Sequence, residues 1–186
     1  ANFLLRQQLP APFRAHEPPQ PDRLESLEQF LRGLGIRVPW KSRPEPRDFE
    51  NIVQQIKGRE DQPLIMAVLL RALSLASYQA GNTGHFGLAL KAYAHFTSPI
   101  RRYPDLLVHR AIRHVIEQQG RKGYPWSQEQ MGKLSEQCSH RARRAEEAER
   151  DVNERLKAYF MEQHIGDVFK GQVTGVTSFG LFVELS

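Results

Sequence analysis

Leu24, Leu27, Leu31 and Leu34 recur at helical spacing, and Gly35 supplies a stop just beyond them. Asp22, with Glu25 three residues later, reads as a capping box that starts this helix. After the Pro44-Glu45-Pro46 break, Phe49, Ile52, Val53 and Ile56 share one face of a second short helix, which Gly58 ends. Pro63 to Tyr78 is more continuously apolar, with Leu64, Ile65, Ala67, Val68, Leu69, Ala72, Leu75 and Ala76. That pattern predicts a helix buried on much of its circumference. Gly81-Asn82-Thr83-Gly84 is a turn. Leu88 to Phe96 then alternates and predicts a strand, with Leu88, Leu90, Ala92, Ala94 and Phe96 on one face. Ala89, Lys91, Tyr93 and His95 lie on the other.

Ser98-Pro99 combines a capping side chain with a proline at the next position, a helix-start signal. The helix is expected to reach about Gln119 with Leu107, Ala111, Ile112 and Val115 facing a core. Pro104 lies too early to sit quietly inside it and implies a kink or a restart. Gly120 to Tyr124 is a basic loop, and Ser127 with Gln130 forms another capping box. No proline interrupts the chain from there to His164, which predicts one long helix of about 55 Å at 1.5 Å per residue. Its apolar positions Leu134, Cys138, Ala142, Ala145, Ala148, Val152 and Leu156 drift instead of holding a heptad, which suits a face packed on a domain core.

Gly166-Asp167 breaks that helix. Two strand-like segments follow, Val168 to Val173 and Phe179 to Leu185, around a turn near Thr177-Ser178. Two strands are too few to be stable alone. At the other end, Asn2 to Arg6 reads as the tail of a helix, and residues 9 to 21, with five prolines, as an extended connector. The expected fold class is α+β, mostly helical with few strands.

Composition narrows the class further. The apolar fraction of 40% can fill a core, and no apolar run is long enough to cross a bilayer. No basic-then-apolar signal segment opens the chain. The single cysteine, Cys138, excludes an internal disulfide framework and points to a reducing compartment, the cytoplasm. Net charge is +5, and residues 101 to 122 carry six basic side chains against two acids. That segment therefore holds +4 of the total, a hint of a polyanionic partner that a merely solvated face would also satisfy.

Candidate chemistry concentrates in residues 95 to 105, His-Phe-Thr-Ser-Pro-Ile-Arg-Arg-Tyr-Pro-Asp. Arg101 and Arg102 offer planar forks of donors suited to phosphate oxygens, and His95, Thr97 and Ser98 add hydrogen-bonding groups. On a helix Arg102 lies about 100° further round than Arg101, so the two should not grip one phosphate. For Arg102 an ion pair to Asp105 at i,i+3 and a phosphate contact both remain open. His85, Tyr93 and His95 approach the same stretch; bracing histidines and a core Tyr93 and Phe96 are the plainer expectation. His95 with His109 lacks the spacing of a structural zinc site. The aspartates Asp22, Asp48, Asp61, Asp105, Asp151 and Asp167 are scattered and give no close carboxylate pattern for two-metal hydrolysis.

Taken together, GHFGLALKAYAHFTSPIRRYPDLLVHR at 84 to 110, AERDV at 148 to 152 and GQVTGVTSFGLFVEL at 171 to 185 resemble the ribonuclease II superfamily of processive 3′-to-5′ exoribonucleases. The resemblance implies hydrolysis of single-stranded RNA from its 3′ end to nucleoside 5′-monophosphates. It implies magnesium bound by clustered aspartates upstream of the matched stretch, none of which this chain carries. It makes residues 1–165 the C-terminal part of the catalytic domain and 166–186 the start of an OB-fold RNA-binding domain of the ribosomal S-one type. Arg101 matches the family's catalytic arginine, which holds the scissile phosphate. Arg102, Thr97, Ser98 and His95 become RNA-binding candidates, and Glu149 matches a carboxylate near the 3′-terminal nucleotide. Phe179 and Phe182 match base-stacking aromatics. Odd spacing puts those two on opposite faces of a regular strand unless Gly180 carries a bulge.

With its metal-binding half elsewhere, the isolated chain is expected to be inactive and to bind no metal. No membrane and no obligate protein partner are implied. Two other readings compete: a non-catalytic RNA-binding module, and a scaffold whose long helix pairs with another chain. The absent heptad seam counts against the scaffold.

Overall fold

Prolines decide where four helices of this chain begin, because the first turn of a helix has no use for the missing N–H and the fixed φ suits it. The computed structural model describes residues 1–40, 42–118 and 120–185. Its helices are α1 (Asn2–Arg6), α2 (Pro21–Gly33), α3 (Pro46–Ile56), α4 (Gln62–Ala72), α5 (Tyr103–Gln118) and α6 (Gln128–Met161). Its strands are β1 (Phe13–Ala15), β2 (Ser77–Gln79), β3 (Gly171–Thr177) and β4 (Gly180–Leu185). The chain is thus α+β and mostly helical. It divides into two compact units, Ala1–Arg141 and Ala142–Ser186.

In the first unit, α2, α3 and α4 enclose one apolar cluster of Leu24, Leu27, Leu31, Ile36, Trp40, Ile52, Ile56, Ile65, Leu69 and Ala72. Trp40 stacks on Phe49 with centroids 5.5 Å apart, and its Nε1–H donates to Glu28 Oε1 at 2.6 Å. α2 starts one residue earlier than its expected cap. Pro21 takes the first helical position and Gln20 precedes it without a side-chain cap, so the Asp22–Glu25 box does not form. The expected stops hold: Gly35 and Gly58 adopt φ of +71° and +80°, the left-handed region that glycine enters at least cost.

The apolar run after Pro63 is helical only to Ala72. Leu73 turns extended, Leu75 is exposed, and Tyr78 lies in β2 rather than at a helix end. The pull comes from across the chain: β2 pairs antiparallel with β1 in the register Phe13↔Gln79, Arg14↔Tyr78 and Ala15↔Ser77. β1 was expected to be a connector. Instead Leu9, Ala11, Phe13 and Ala15 are buried, and Leu9, Ala11 and Phe13 join Leu4 of α1 in a second cluster with Val108, Ala111 and Val115 of α5. Tyr124 Oη donates to the Pro10 carbonyl at 2.9 Å, and burial pushes this phenol up to about 12, so it stays a donor.

The Leu88–Phe96 strand does not form. Phe86–Leu88 is a single 3-10 turn, Ala89 sits at φ +53°, and Leu90 folds back to pair with His85. Its backbone bonds are spent locally: His85 N–H donates to the Leu90 carbonyl at 2.8 Å and Leu90 N–H to that of His85 at 3.2 Å, and toward β1 the described residues show one bond, from Arg14 N–H to the Tyr93 carbonyl at 2.9 Å.

α5 buries Leu107, Ala111 and Val115, as the spacing predicts, with Ile112 half-buried, and it also buries Val108, which the spacing did not single out. Its expected end at Gln119 lies outside the described residues. α6 starts at the predicted box, with Ser127 N–H donating to Gln130 Oε1 at 2.9 Å and Gln130 N–H to Ser127 Oγ at 3.1 Å. Only Met131 and Ser135 are buried along it, and its later apolar residues Val152 and Leu156 are exposed. The packed face expected along the whole helix is confined to its first turns.

The second unit holds the rest of α6, a 3-10 turn at Glu162–His164 and the antiparallel hairpin β3–β4, with an irregularity between Val173 and Gly175. The predicted turn near Thr177-Ser178 is where the hairpin reverses.

Ile52 is wholly buried between three helices. Ile52→Ala should cost about 2–5 kcal/mol in urea unfolding followed by circular dichroism, and a loss below about 1 kcal/mol would contradict this core assignment.

Candidate functional site

Ser98 anchors a single turn, not a helix. Its carbonyl accepts from Arg101 N–H at 3.3 Å and from Arg102 N–H at 2.9 Å, and the chain then leaves the turn before α5 starts at Tyr103. Pro104 occupies the second position of α5, so of the two expected consequences the restart is the one realised. The Ser98-Pro99 helix start is corrected accordingly: proline at 104 cannot donate back to the preceding turn, so the first turn closes by itself.

Asp105 binds this turn to the helix. Its side chain is fully buried, and Oδ2 accepts from Ser98 N–H at 2.8 Å and from Arg102 Nη2 at 2.9 Å. Arg102 therefore makes the ion pair that was one of its two open readings. Arg101 and Ile100 are exposed at the crest of the turn, and among the described residues Arg101 makes no ion pair or side-chain hydrogen bond. Thr97 is exposed and Ser98 half-buried beside it.

His95 is held from behind. Its Nδ1 meets Tyr78 Oη at 2.8 Å, and its ring lies edge-on to Tyr78 at 5.6 Å and to Tyr93 at 5.5 Å. Burial first, then the positive charges of Arg102 and Arg14, hold the His95 imidazole below its usual value. Burial raises Tyr78, so the phenol keeps its proton. In the tautomer where that phenol donates to Nδ1, the Nε2–H of His95 remains for another acceptor. Tyr78 is itself fixed from three sides: Arg14 lies 4.8 Å over its ring, its N–H donates to Ser139 Oγ at 2.8 Å, and Ser139 Oγ contacts its carbonyl at 3.3 Å. Phe96, expected in the core, is exposed and stacks on His109 at 4.3 Å, while His109 Nε2 lies 2.8 Å from the Phe96 carbonyl.

A second histidine pair braces the loop leading in. His16 Nε2 lies 2.6 Å from the Ser74 carbonyl, so it carries the proton, and Nδ1 accepts from Gly87 N–H at 2.9 Å. A Cβ at Gly87 would come 2.8 Å from that Nδ1, so this approach requires glycine. His85 packs 4.9 Å from His16 and 5.3 Å from Tyr93, and burial first, with the positive charge of Arg14 adding to it, lowers its pKa.

The predicted site residues therefore separate. Ser98, Arg101 and Arg102 share one turn of the first unit, and His95 and Thr97 lie in the segment that leads into it. Glu149 lies on the exposed part of α6 in the second unit. Its neighbour Arg150 faces Glu154 with Nε–Oε1 at 4.0 Å. Phe179 sits in the hairpin turn and Phe182 on β4, their rings edge-to-face at 6.0 Å. Strand alternation does not apply to a turn residue, which is why the odd spacing leaves the two in contact. No group of three or more His, Cys, Asp or Glu able to hold a metal ion occurs among the described residues. The residues present do not fit a magnesium site. Sequence reasoning missed Tyr78, Arg14 and Ser139, and it treated Asp105 only as an ion-pair partner. The signal for Asp105 was an acid three residues beyond Arg102 in a helix whose neighbours Leu107 and Val108 are apolar.

The RNB domain family matches residues 1–118, most of the first unit. The chain belongs to the RNB-domain family. Along its whole length it is 46% identical to ribonuclease R of Vibrio parahaemolyticus and 44% identical to ribonuclease R of Escherichia coli K12, covering 23% and 24% of those proteins. It thus spans about a quarter of the length of the curated relatives it matches. Among solved structures it is similar to Mycoplasma genitalium RNase R in complex with ribose-methylated single-stranded RNA, with TM-score 0.88, 26% identity, and coverage of 100% of this chain and 30% of that one. It is also similar to yeast Ssd1, a pseudonuclease, with TM-score 0.61 and 26% identity over 73% of this chain and 17% of that one.

Both His85 and His95 sit below their usual 6.5, so at mildly acid pH the unfolded chain binds more protons than the folded one. Stability contributed by these rings is complete above about 6.5 and is lost as pH falls through the depressed folded values. Melting temperature should drop as pH is lowered from about 7.5 to about 5.5, and drop less in His95→Asn. Equal slopes in the two proteins would contradict the burial of His95.

Proposed function

We propose that this chain is part of a processive 3′-to-5′ exoribonuclease that hydrolyses single-stranded RNA to nucleoside 5′-monophosphates. One observation carries the reading: the Ser98–Arg102 turn projects an unpaired guanidinium at Arg101 while its neighbour is neutralised by a buried carboxylate. An exposed cation carried on a held turn and meeting a phosphodiester stabilises charge as it develops on the attacked phosphoryl group. Loss of one such donor costs about 2.7–4 kcal/mol of barrier in comparable oxyanion sites. In this reading His95, through its Nε2–H, and the Thr97 and Ser98 hydroxyls contact the same backbone, with Arg102 as a weaker contact because Asp105 already holds it.

Glu149 accepts from ribose hydroxyls near the 3′ end in this reading, a contact that favours RNA over DNA. Phe179 and Phe182 belong to the start of an OB-fold domain and present an aromatic pair to bases. Magnesium binding falls to parts of the protein beyond these residues, and no step is routed through a metal here. The similarity to an RNase R solved with single-stranded RNA supports RNA as partner. The single cysteine supports a cytoplasmic site of action, and no helix among the described residues is long and apolar enough to cross a membrane.

A second reading, a non-catalytic RNA-binding module, is favoured by one finding: a pseudonuclease shares this fold. The two separate in one experiment. In the full-length protein Arg101→Ala should cut turnover on single-stranded RNA by about a hundredfold or more, with RNA affinity little changed. The isolated 186-residue chain, assayed beside it with magnesium, should release no mononucleotide. Normal turnover with a large affinity loss in the variant would contradict the catalytic role, and a full-length protein without turnover would favour the binding module.

A further inference from the structure

Among the described residues one oxygen of Asp105 carries its hydrogen bonds. Oδ2 takes the Ser98 N–H and the Arg102 Nη2, while Oδ1 and the Arg102 Nε are both buried without a hydrogen-bond partner there. A carboxylate and a guanidinium left to themselves favour a two-pronged pair that satisfies all four of these positions. Here the acid is shared with a backbone amide seven residues earlier, and the ion pair is left single-pronged. The arrangement sacrifices the better salt bridge for a grip on the turn.

We infer that Asp105 is a positioning residue for Arg101: it clamps both ends of the 98–102 turn and withdraws Arg102, leaving Arg101 as the guanidinium free to meet a phosphate. The backbone clamp acts at Ser98, whose carbonyl closes the turn onto Arg101 and Arg102. The side-chain clamp acts at Arg102, which without the carboxylate would compete for the same anion from the adjacent position. Asp105 stands in the first turn of α5, whose next residues Leu107 and Val108 are buried, so the clamp is mounted on a rigid element. This inference rests on the reading of Arg101 proposed above.

A double-mutant cycle in the full-length protein tests it, with kcat and KM on single-stranded RNA measured for the wild type, Asp105→Asn, Arg101→Ala and the double variant. Asp105→Asn keeps the shape and an oxygen for the Ser98 amide but removes the charge that holds Arg102. Its kcat should fall about ten- to a hundredfold, the scale of a catalytic group displaced by about 1 Å, with KM changed less than about threefold. In the Arg101→Ala background the same substitution should cost less than about twofold, because the residue it serves is gone. Equal kcat penalties in both backgrounds would mean a merely structural Asp105 and overturn the inference alone. Normal kcat in Arg101→Ala would overturn the reading beneath it as well. Should Asp105→Asn fail to fold, Arg102→Gln cuts the same pair from its more exposed side and runs in the same cycle, read on kcat with the same two outcomes.

Discussion

A carboxylate with no access to water must have its charge answered inside the protein, and Asp105 is such a group. Its answer is one guanidinium and one backbone amide, drawn from a segment that would otherwise be a loose connection into α5. Removing one partner of a buried pair typically costs about 3–5 kcal/mol, since the other charge is stranded. The turn thus has little freedom to rearrange while α5 stays folded. α5 in turn is held by the buried thread from Leu4 to Phe13, so the geometry of the arginine turn rests on a part of the chain nearly a hundred residues earlier.

That dependence explains which parts of the structure were legible in the sequence. Helices whose signals are local were readable: the leucine repeat of α2, the Gly35 and Gly58 stops, and the Ser127–Gln130 box all rest on neighbours within a turn or two. The extended segments were not, because their partners are distant. Residues 9 to 16 carry prolines that read as a connector, yet all but Arg14 are buried, and Phe13–Ala15 pair with Ser77–Gln79, of which Ser77 and Tyr78 read as helix. Leu88 to Phe96 had the right alternation for a strand, but Leu90 folds back onto His85 and the segment reaches β1 through the Tyr93 carbonyl instead of a ladder. Within the site, the resemblance singled out Arg101, and for Arg102 the spacing to Asp105 left an ion pair and a phosphate contact both open. The difference between them is set by Asp105, whose pairing with Arg102 the spacing offered and whose full burial and grip on the Ser98 amide came only with the packing of α5.

The second unit carries its own lesson. β3 and β4 form the hairpin that alternation predicts, but their apolar residues Leu181, Phe182 and Val183 are exposed. The same is true of Val152, Leu156, Tyr159 and Phe160 on α6. A fold also found in a pseudonuclease does not by itself make a nuclease, because function resides in the site and not in the scaffold. The catalytic reading therefore stands or falls on where one guanidinium goes.

A structure of the full-length protein with single-stranded RNA bound tests this most directly. It should place the Arg101 guanidinium about 3 Å from an oxygen of the phosphate nearest the 3′ end, with Arg102 still paired to Asp105. Arg102 released from Asp105 onto that phosphate, with Arg101 turned to solvent, would contradict the account.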